Sequence, residues 1–388
     1  MGRFSLAFYE GEKMFSKSDI SRDEFQLFGK QAKCGYDWWW HSFTAIDEET
    51  NAKKQFFLEF FTCNPKLGGD EPVYGQLPRN KMYGVKPSYL MIKVGTWGEN
   101  KKQLHRFFGW NKVEIEKKKP FSIKADDCFL SETESYGKVS VSKEDAEEHR
   151  EYMSDAGTIE WNLKINKIIP FNVGYGAGKL FRKIQAFEMF WHAEGMKSEF
   201  SGEIILDGKK YKVVPEESNG YADKNWGKDF TSPWVWLSTN NCYSRKYDRK
   251  LENTVFDIGG GRPKVGPITL NRKLLSAMYY EGKCFEFNFS KFWTFCRTKF
   301  VCQETEDQIV WHVEQKTWRN RMITDITCEK KDMLFVNYEA PNGTKKYSRL
   351  WNGGNGKGTI MLYRKGELVD EIEVTDLGCE YGEFDTEQ

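Results

Sequence analysis

The sequence predicts an all-β protein with a few short helices. Phe, Tyr and Trp make up 16% of its 388 residues, and aromatic side chains favour strands. Short β-rich runs recur along the whole chain, and Asp-Gly, Pro-Asn-Gly and Gly-rich turn signals separate them. Many short strands with few helices are typical of β-sandwiches and β-barrels.

The strand prediction rests on runs in which apolar, aromatic and β-branched residues cluster or alternate. Asp-Gly within residues 206–211 and Pro-Asn-Gly within residues 340–347 predict two hairpin turns. In chain order, the runs are residues 53–62, 87–95, 202–214, 233–239, 283–293, 308–315, 332–339 and 358–374.

The clearest helical segment is residues 142–153 (SKEDAEEHREYM). Ser142 can cap its first turn and acidic residues follow, which predicts one exposed helix or helical loop. Residues 174–191 fit a turn followed by either a helix or a strand. Three glycine-rich stretches match neither GxxxxGK[ST] nor GxGxxG, so they predict turns and bulges rather than nucleotide sites. These stretches are residues 174–179, 258–267 and 352–359.

Two parts of the chain resemble each other. Residues 35–61 and residues 220–261 both begin Gly-Tyr, then carry a Trp-x-Trp pair, a polar connection and an apolar strand. The second Trp of each pair is Trp40 or Trp236, about half a chain apart. This repetition predicts two similar all-β domains. We expect an N-terminal domain at residues 1–197 and a C-terminal domain at residues 198–388.

The charge balance excludes some classes of partner. Lys and Arg number 58 and Asp and Glu 57, so the net charge is +1 and gives no reason to expect nucleic acid or an anionic membrane. The mean hydropathy is −0.68. No apolar run is long enough for a transmembrane helix, and the first residues lack the apolar core of a signal peptide. We therefore expect a cytoplasmic protein without a transmembrane segment.

Neither the cysteines nor the histidines form a metal-binding pattern. The 9 cysteines contain no CxxC pair, and the 5 histidines are scattered. Reduced and mostly buried thiols are the expectation for such a chain. We expect no metal and no other cofactor.

Residues 220–238 (GYADKNWGKDFTSPWVWLS) concentrate acids, lysines and tryptophans, and this region resembles the tocopherol cyclase family. That family carries Tyr-x-Glu-Lys-Asn-Trp-Gly, a Phe-Pro pair, a Trp-x-Trp strand ending near Gln-x-Asn, and a glycine triplet. The matching positions here are Tyr221, Asp223, Lys224, Asn225, Trp226, Gly227, Phe230, Trp234, Trp236, Asn240 and Gly259 to Gly261. Residues 36–41 (YDWWWH) are similar to the family's Phe-Glu-Gly-Trp-Tyr opening. The departures are Asp223 for Glu, Thr231 for Pro, Ser238 for Gln and Trp38 for Gly.

The resemblance implies two lipocalin-like β-barrel or β-sandwich domains, with a ligand pocket at or near their interface. It also implies a cofactor-independent cyclase or isomerase that protonates a large hydrophobic substrate, such as a prenylated phenol, and closes a ring. A hydratase or a pericyclic cyclase on the same fold is an alternative. So is a non-catalytic carrier of a lipid or pigment. A shared fold does not transmit chemistry.

Three residues are candidates for proton chemistry: Asp223, His192 and Asp37. Burial among aromatic residues would raise the pKa of Asp223 and keep it protonated. The alternatives are that an ion pair of Lys224 with Asp223 or Asp229 pins a loop, and that His192 is a structural residue. If the two halves face one another, Asp37 and Asp223 could approach a shared cleft.

The aromatic and amide residues of the same motifs are candidates for ligand binding, although alternating aromatics on strands are also typical of a core. Strand alternation puts Tyr221, Asp223 and Asn225 on one face of their strand. Lys224 and Trp226 lie on the other. The candidate ligand-binding residues are Tyr36, Trp39, Trp40, Tyr221, Asn225, Trp226, Trp234, Trp236 and Asn240.

Overall fold

The structure is a computed structural model of the chain. It describes residues 15, 17–117, 120–171, 183, 187–262, 264–265, 268–269, 273–289, 291–343 and 347–384. Nearly all regular structure in these residues is antiparallel β, as the alternating and aromatic runs predict. Two 12-stranded sheets account for it, and each has a barrel-like shape. The all-β prediction is confirmed.

The first sheet comprises the first 12 strands of the chain. They are β1 (Tyr36–Asp47), β2 (Lys53–Cys63), β3 (Tyr89–Thr96), β4 (Lys102–Phe108), β5 (Val113–Glu116), β6 (Ser122–Ala125), β7 (Cys128–Ser131), β8 (Glu134–Val141), β9 (Gly157–Phe171), β10 (Met189–Leu206), β11 (Lys209–Val213) and β12 (Gly220–Gly227). Their order is β4-β3-β2-β1-β11-β10-β9-β8-β7-β6-β5, and β12 pairs with both β1 and β10.

Of the later strands, β17 and β18 form a small separate hairpin, and the others form the second sheet. The strands are β13 (Trp234–Thr239), β14 (Cys242–Ser244), β15 (Arg249–Lys250), β16 (Thr254–Gly261), β17 (Lys264–Val265), β18 (Ile268–Thr269), β19 (Lys273–Tyr280), β20 (Lys283–Phe287), β21 (Arg297–Glu304), β22 (Gln308–Lys316), β23 (Asn320–Glu329), β24 (Leu334–Val336), β25 (Tyr347–Arg364) and β26 (Glu367–Phe384). Their main path is β20-β19-β16-β13-β26-β25-β23-β22-β21.

Helices in the described residues are short: α1 (Lys17–Asp23), α2 (Pro78–Met82) and α3 (Lys143–Glu148). Helix α3 confirms the predicted exposed helix, and the Ser142 side chain accepts a hydrogen bond from the backbone N–H of Asp145, as an N-cap should. Single 3₁₀ turns lie at Trp110–Lys112, Arg150–Tyr152, Pro215–Glu217, Phe292–Thr294 and Lys330–Asp332. No helix in the described ranges is long and apolar enough to cross a membrane.

The predicted Asp-Gly turn joins β10 to β11, with Asp207 and Gly208 both at positive φ. This is the backbone conformation for which Asp-Gly is favoured in two-residue hairpins. The Gly-rich stretch 174–179 lies outside the described residues, and so does the centre of the predicted turn at 340–347.

The first sheet extends farther along the chain than the expected boundary between residues 197 and 198. That boundary falls inside β10, whose residues pair with β9, β11 and β12. Because β12 also pairs with β1, the division between the two sheets lies between Gly227 and Trp234.

Three hydrophobic clusters organise the interior. One fills the first sheet and includes Trp39 and Phe200, and another fills the second sheet around Trp311. The third lies between the sheets, because it joins side chains of β1, β2, β3 and β12 to side chains of β13, β16 and β24. We call this third cluster the interface cluster. Its tryptophans are Trp38, Trp40, Trp97, Trp191, Trp234 and Trp236.

Candidate functional site

Strands β1 and β12 lie side by side and present the candidate residues on two opposite faces. The register pairs Trp40 with Asp223 and Asp37 with Trp226. Directly opposed residues of an antiparallel pair point to the same face, and neighbours along a strand point to opposite faces. Asp223 therefore faces the second sheet, in the interface cluster, whereas Asp37 faces the interior of the first sheet.

A pair of buried carboxyls forms the centre of the interface site. The Tyr221 hydroxyl lies 3.2 Å from Oδ2 of Asp223, on the first sheet, and 3.1 Å from Oδ2 of Asp257, on the second sheet. Trp191 Nε1 donates to Asp223 Oδ2 at 2.8 Å, and Trp236 Nε1 donates to the Tyr221 hydroxyl at 3.1 Å. One phenol thus joins two acids from different sheets.

The surroundings favour the protonated form of both acids. Burial raises the pKa of Asp223 well above its usual value, and the nearby Glu380 and Glu194 carboxyls raise it further. The hydrogen bonds from Trp191 and Tyr221 act in the opposite direction but are weaker influences. Burial, and then the proximity of Asp223, likewise raises the pKa of Asp257. A buried carboxyl without a cationic partner stays neutral, because charging it in a poorly solvated site is costly.

Aromatic rings wall the same interface. Trp40 stacks on Phe57 with ring centroids 5.0 Å apart, and Trp38 stacks at 5.2 Å on Tyr338, which follows β24 of the second sheet. The indole N–H groups of Trp38 and Trp40 have no hydrogen-bond partner among the described residues. Buried indole N–H groups usually find a partner, so this wall can offer donors to a bound molecule.

A second polar group lies beside the acid pair. Glu59 accepts from the Tyr338 hydroxyl at 2.9 Å and forms an ion pair with Lys93 at 2.9 Å. Lys93 Nζ also lies 3.8 Å above the Tyr338 ring. Glu59 and Lys93 come from β2 and β3 and Tyr338 from the second-sheet side, so this group also bridges the two sheets.

Glu380 completes this polar group. Its carboxylate accepts from Trp234 Nε1 and from the Asn352 side chain, both at 2.5 Å. Trp97, which directly follows β3 of the first sheet, donates to Asn352 at 2.6 Å. Burial raises the pKa of Glu380 to about 7.

Some of the site residues keep a small accessible surface. Trp38 and Glu380 are each 9% exposed and Asp223 is 6% exposed, whereas Asp257 and Glu59 are fully buried. Asp223 is therefore the more accessible member of the acid pair and the one better placed to meet a ligand.

Asp37 and His192 belong to an ionic network inside the first sheet. Asp37 pairs with Lys224, whose Nζ lies 3.4 Å from the centre of the Trp39 ring. Burial raises the pKa of Asp37 to about 6 in spite of Lys224. His192 Nε2 lies 3.3 Å from Oδ1 of Asp23. The alternative in which Lys224 pairs with Asp223 or Asp229 is wrong, because Lys224 points to the Asp37 side of β12 and pairs with Asp37.

The hypothesis that Asp37 and Asp223 share a cleft is also wrong. Both are buried, but they point to opposite faces of one sheet. His192 pairs with Lys224 in the β10–β12 register and therefore lies on the Asp37 side as well. Of the three predicted catalytic residues, only Asp223 faces the interface.

The predicted ligand-binding residues divide in the same way. Trp39 and Trp226 face the interior of the first sheet, where Trp39 stacks on Phe121 and Trp226 on Phe190. Asn240 donates to the Gly220 carbonyl at 2.8 Å, so it holds the first residue of β12 in place. The predicted residues that do face the interface are Tyr36, Trp40, Tyr221, Asn225, Trp234 and Trp236.

Sequence reasoning missed Asp257, Glu59, Lys93 and Glu380. Asp257 comes just before the glycine triplet that carries the family resemblance, in FDIGGG. Glu59 and Lys93 are single charged residues inside the apolar runs FFLEFF and LMIKVG. A lone charge in a fully buried strand is rarely tolerated without a partner, and this signal was available in the sequence. Among the described residues, no group of three His, Cys, Asp or Glu side chains is placed to hold a metal ion.

Comparisons with known proteins agree with the motif-based resemblance. A family model described as tocopherol cyclase-like matches residues 93–364. The YDWWWH motif at residues 36–41 lies before the matched range. No curated protein matches the chain.

Solved structures include distant matches. Kievitone hydratase from Nectria haematococca aligns with a TM-score of 0.48 and 12% identity, over 94% of this chain and 92% of that chain. CghA with Sch210972 aligns with a TM-score of 0.45 and 12% identity, over 96% of this chain and 97% of that chain. The family match, which spans most of the sequence, is the finding that assigns the chain. The protein therefore belongs to the tocopherol cyclase-like family.

Proposed function

We propose that the protein is a cofactor-independent acid catalyst that protonates a carbon–carbon double bond of a large hydrophobic molecule bound between the two sheets. The observation that carries the proposal is the buried Asp223–Tyr221–Asp257 arrangement, in which burial raises the pKa of Asp223 and so favours its protonated form at the aromatic interface. A neutral carboxylic acid at neutral pH is the group that such a step requires.

The proposed reaction is a ring closure without net change in atoms. Asp223 transfers its proton to the less substituted carbon of a prenyl double bond, which leaves a tertiary cation and a carboxylate. A hydroxyl oxygen of the same substrate then forms a C–O bond to the cation. The hydroxyl proton returns to Asp223, so the acid is regenerated and no redox partner is needed.

The surrounding residues support each stage. The Trp40 and Trp236 rings can stabilise the cation, because aromatic faces attract positive charge. Tyr221 holds the two acids together and can donate to the Asp223 carboxylate while it is charged. The aromatic walls limit access of water, which would otherwise capture the cation and give a hydrated product. Asp37 and His192 support β12 from the other side and make no contact with substrate.

The first experiment is native mass spectrometry of the purified protein, followed by organic extraction of bound material. An extracted prenylated phenol or quinol identifies the natural substrate class. A protein without bound ligand is then assayed with 2-prenylphenol in D₂O. Proton transfer followed by ring closure predicts 2,2-dimethylchroman with one deuterium on the carbon that received the proton.

Variants separate catalysis from binding. Asp223→Asn is expected to abolish product formation and to leave binding of the phenol, measured by thermal shift, close to that of the wild type. Asp70→Asn is the matched control, since Asp70 is exposed and far along the chain from the acid pair. Binding of prenylated phenols without any product by the wild type would indicate a carrier. Full turnover by Asp223→Asn would remove Asp223 as the acid.

A further inference from the structure

A cavity lies between β4, the connection from β8 to β9 and residues 71–74, which come before β3. Its volume is about 390 Å³, and neither Asp223 nor Asp257 lines it. Ser154 and Asp155 of this connection are held against β4, because the His105 backbone donates to Ser154 Oγ at 3.0 Å and the Gln103 backbone donates to the Asp155 carboxylate at 2.9 Å. Hydrogen bonds thus fix two of its three lining segments to each other.

Three aromatic rings converge on this cavity. Tyr74 meets Phe107 edge to face with centroids 5.1 Å apart, and Tyr152 lies 5.9 Å from each of them. His149 stacks on Tyr152 at 4.8 Å. Tyr74, Phe107, His149 and Tyr152 all line the cavity, and aromatic rings around one volume attract organic cations.

The charges that line the cavity favour the same class of ligand. The cationic side chains that line the cavity already have partners. Arg106 forms ion pairs with Asp127 at 2.5 Å and Asp126 at 3.0 Å, both outside the cavity, and Glu151 lies 2.9 Å from His149. Glu71 and Asp145 also line the cavity, and neither has an ion-pair partner in the described part of the chain. Their carboxylates leave the cavity with unbalanced negative charge.

His105 adds a hydrogen-bond acceptor to the lining. It is 2% exposed, and its Nδ1 lies 2.7 Å from the Tyr152 carbonyl, so Nδ1 carries the hydrogen. Burial lowers the pKa of His105 to about 3, which keeps the ring neutral and leaves a lone pair on Nε2. Nε2 has no hydrogen-bond partner among the described residues. The opposed Lys93 is already paired with Glu59.

We propose that this cavity binds a small organic ammonium ion that carries at least one N–H group. The three rings contact the apolar arms of the cation, Glu71 and Asp145 supply the opposite charge, and His105 Nε2 accepts an N–H hydrogen bond. Tyr74 and Phe107 pack against the interface cluster, so the cavity adjoins it. The proposal does not depend on the proposed catalytic function.

The test compares three probes of similar shape by isothermal titration calorimetry at low salt. tert-Butylammonium has both charge and N–H groups, tetramethylammonium has charge alone, and tert-butanol has no charge. We expect tert-butylammonium to bind most tightly, and tert-butanol about tenfold more weakly or not at all, as the loss of a partly buried cation–π contact predicts. Equal affinity for tert-butanol, or no saturable binding of tert-butylammonium, would overturn the proposal.

Variants of the lining give an independent check. Tyr152→Leu keeps the volume apolar but removes one ring face, and the double variant Glu71→Gln with Asp145→Asn removes the charge. Each should weaken tert-butylammonium binding about tenfold. Tyr136→Leu is the control, because Tyr136 is exposed and stacks on Phe129 outside the cavity. Wild-type affinity in the double variant, whose changes lie at the surface and spare the fold, would refute the ammonium site.

Discussion

Replacing Asp223 by Asn is expected to change how the stability of the protein depends on pH. In the folded protein, Asp223 keeps its proton above the pH at which an unfolded aspartate, with a pKa of 3.8, releases it. The unfolded chain then binds fewer protons than the folded chain, so the free energy of unfolding falls as the pH rises. The fall continues until the pH reaches the raised pKa of the folded state.

The size of the effect follows from proton counting. Each such group lowers the free energy of unfolding by about 1.4 kcal/mol per pH unit within this window. Asp223 and Asp257 both contribute, and Asp223→Asn removes one of the two contributions. Between the pKa of an unfolded aspartate and the raised pKa of the folded state, the variant should gain about 1.4 kcal/mol relative to the wild type for each pH unit. Asn keeps an acceptor for Trp191, so the change is close to isosteric.

The assay is urea unfolding of the wild type, Asp223→Asn and the exposed control Asp70→Asn at several pH values, with the free energy of unfolding extrapolated to water. The control should follow the wild type at every pH. Parallel stability profiles for the wild type and Asp223→Asn would mean that the folded state does not hold a proton on Asp223, so Asp223 could not be the catalytic acid.

Two further substitutions test the buried contacts on either side of β12. Lys224→Met should destabilise the protein by about 3 to 5 kcal/mol, because Asp37 loses its buried ion-pair partner, and the double variant with Asp37→Leu should recover most of that loss in thermal unfolding. A double variant as unstable as Lys224→Met would contradict the ion-pair explanation. Tyr221→Phe should cost about 1 to 3 kcal/mol in urea unfolding, since it leaves both acids and the Trp236 N–H without their shared hydroxyl. An unchanged unfolding midpoint would show that the hydroxyl does not join the acids.

Local sequence determined which segments form strands and which residues share a face. Alternation along residues 220–227 separates Asp223 from Lys224, and the structure places them on opposite faces as predicted. Trp38 with Trp40, and Trp234 with Trp236, likewise share faces, and both pairs lie in the interface cluster. These features follow from the two-residue period of an extended chain. That period depends only on residues that are neighbours in the sequence.

Tertiary structure alone decided which of those faces meet. The pairing of Trp40 with Asp223 joins the first and the last strand, in chain order, of the first sheet, and it places Asp37 on the face opposite the interface. The meeting of Asp223 with Asp257 requires two sheets to pack against each other. Alternation along a strand predicts that neighbouring residues lie on opposite faces of the sheet. It does not predict which of the two faces becomes the interior. That choice depends on strand pairing and sheet packing between residues far apart in the chain. The acid pair forms only because this strand pairing and this sheet packing both occur.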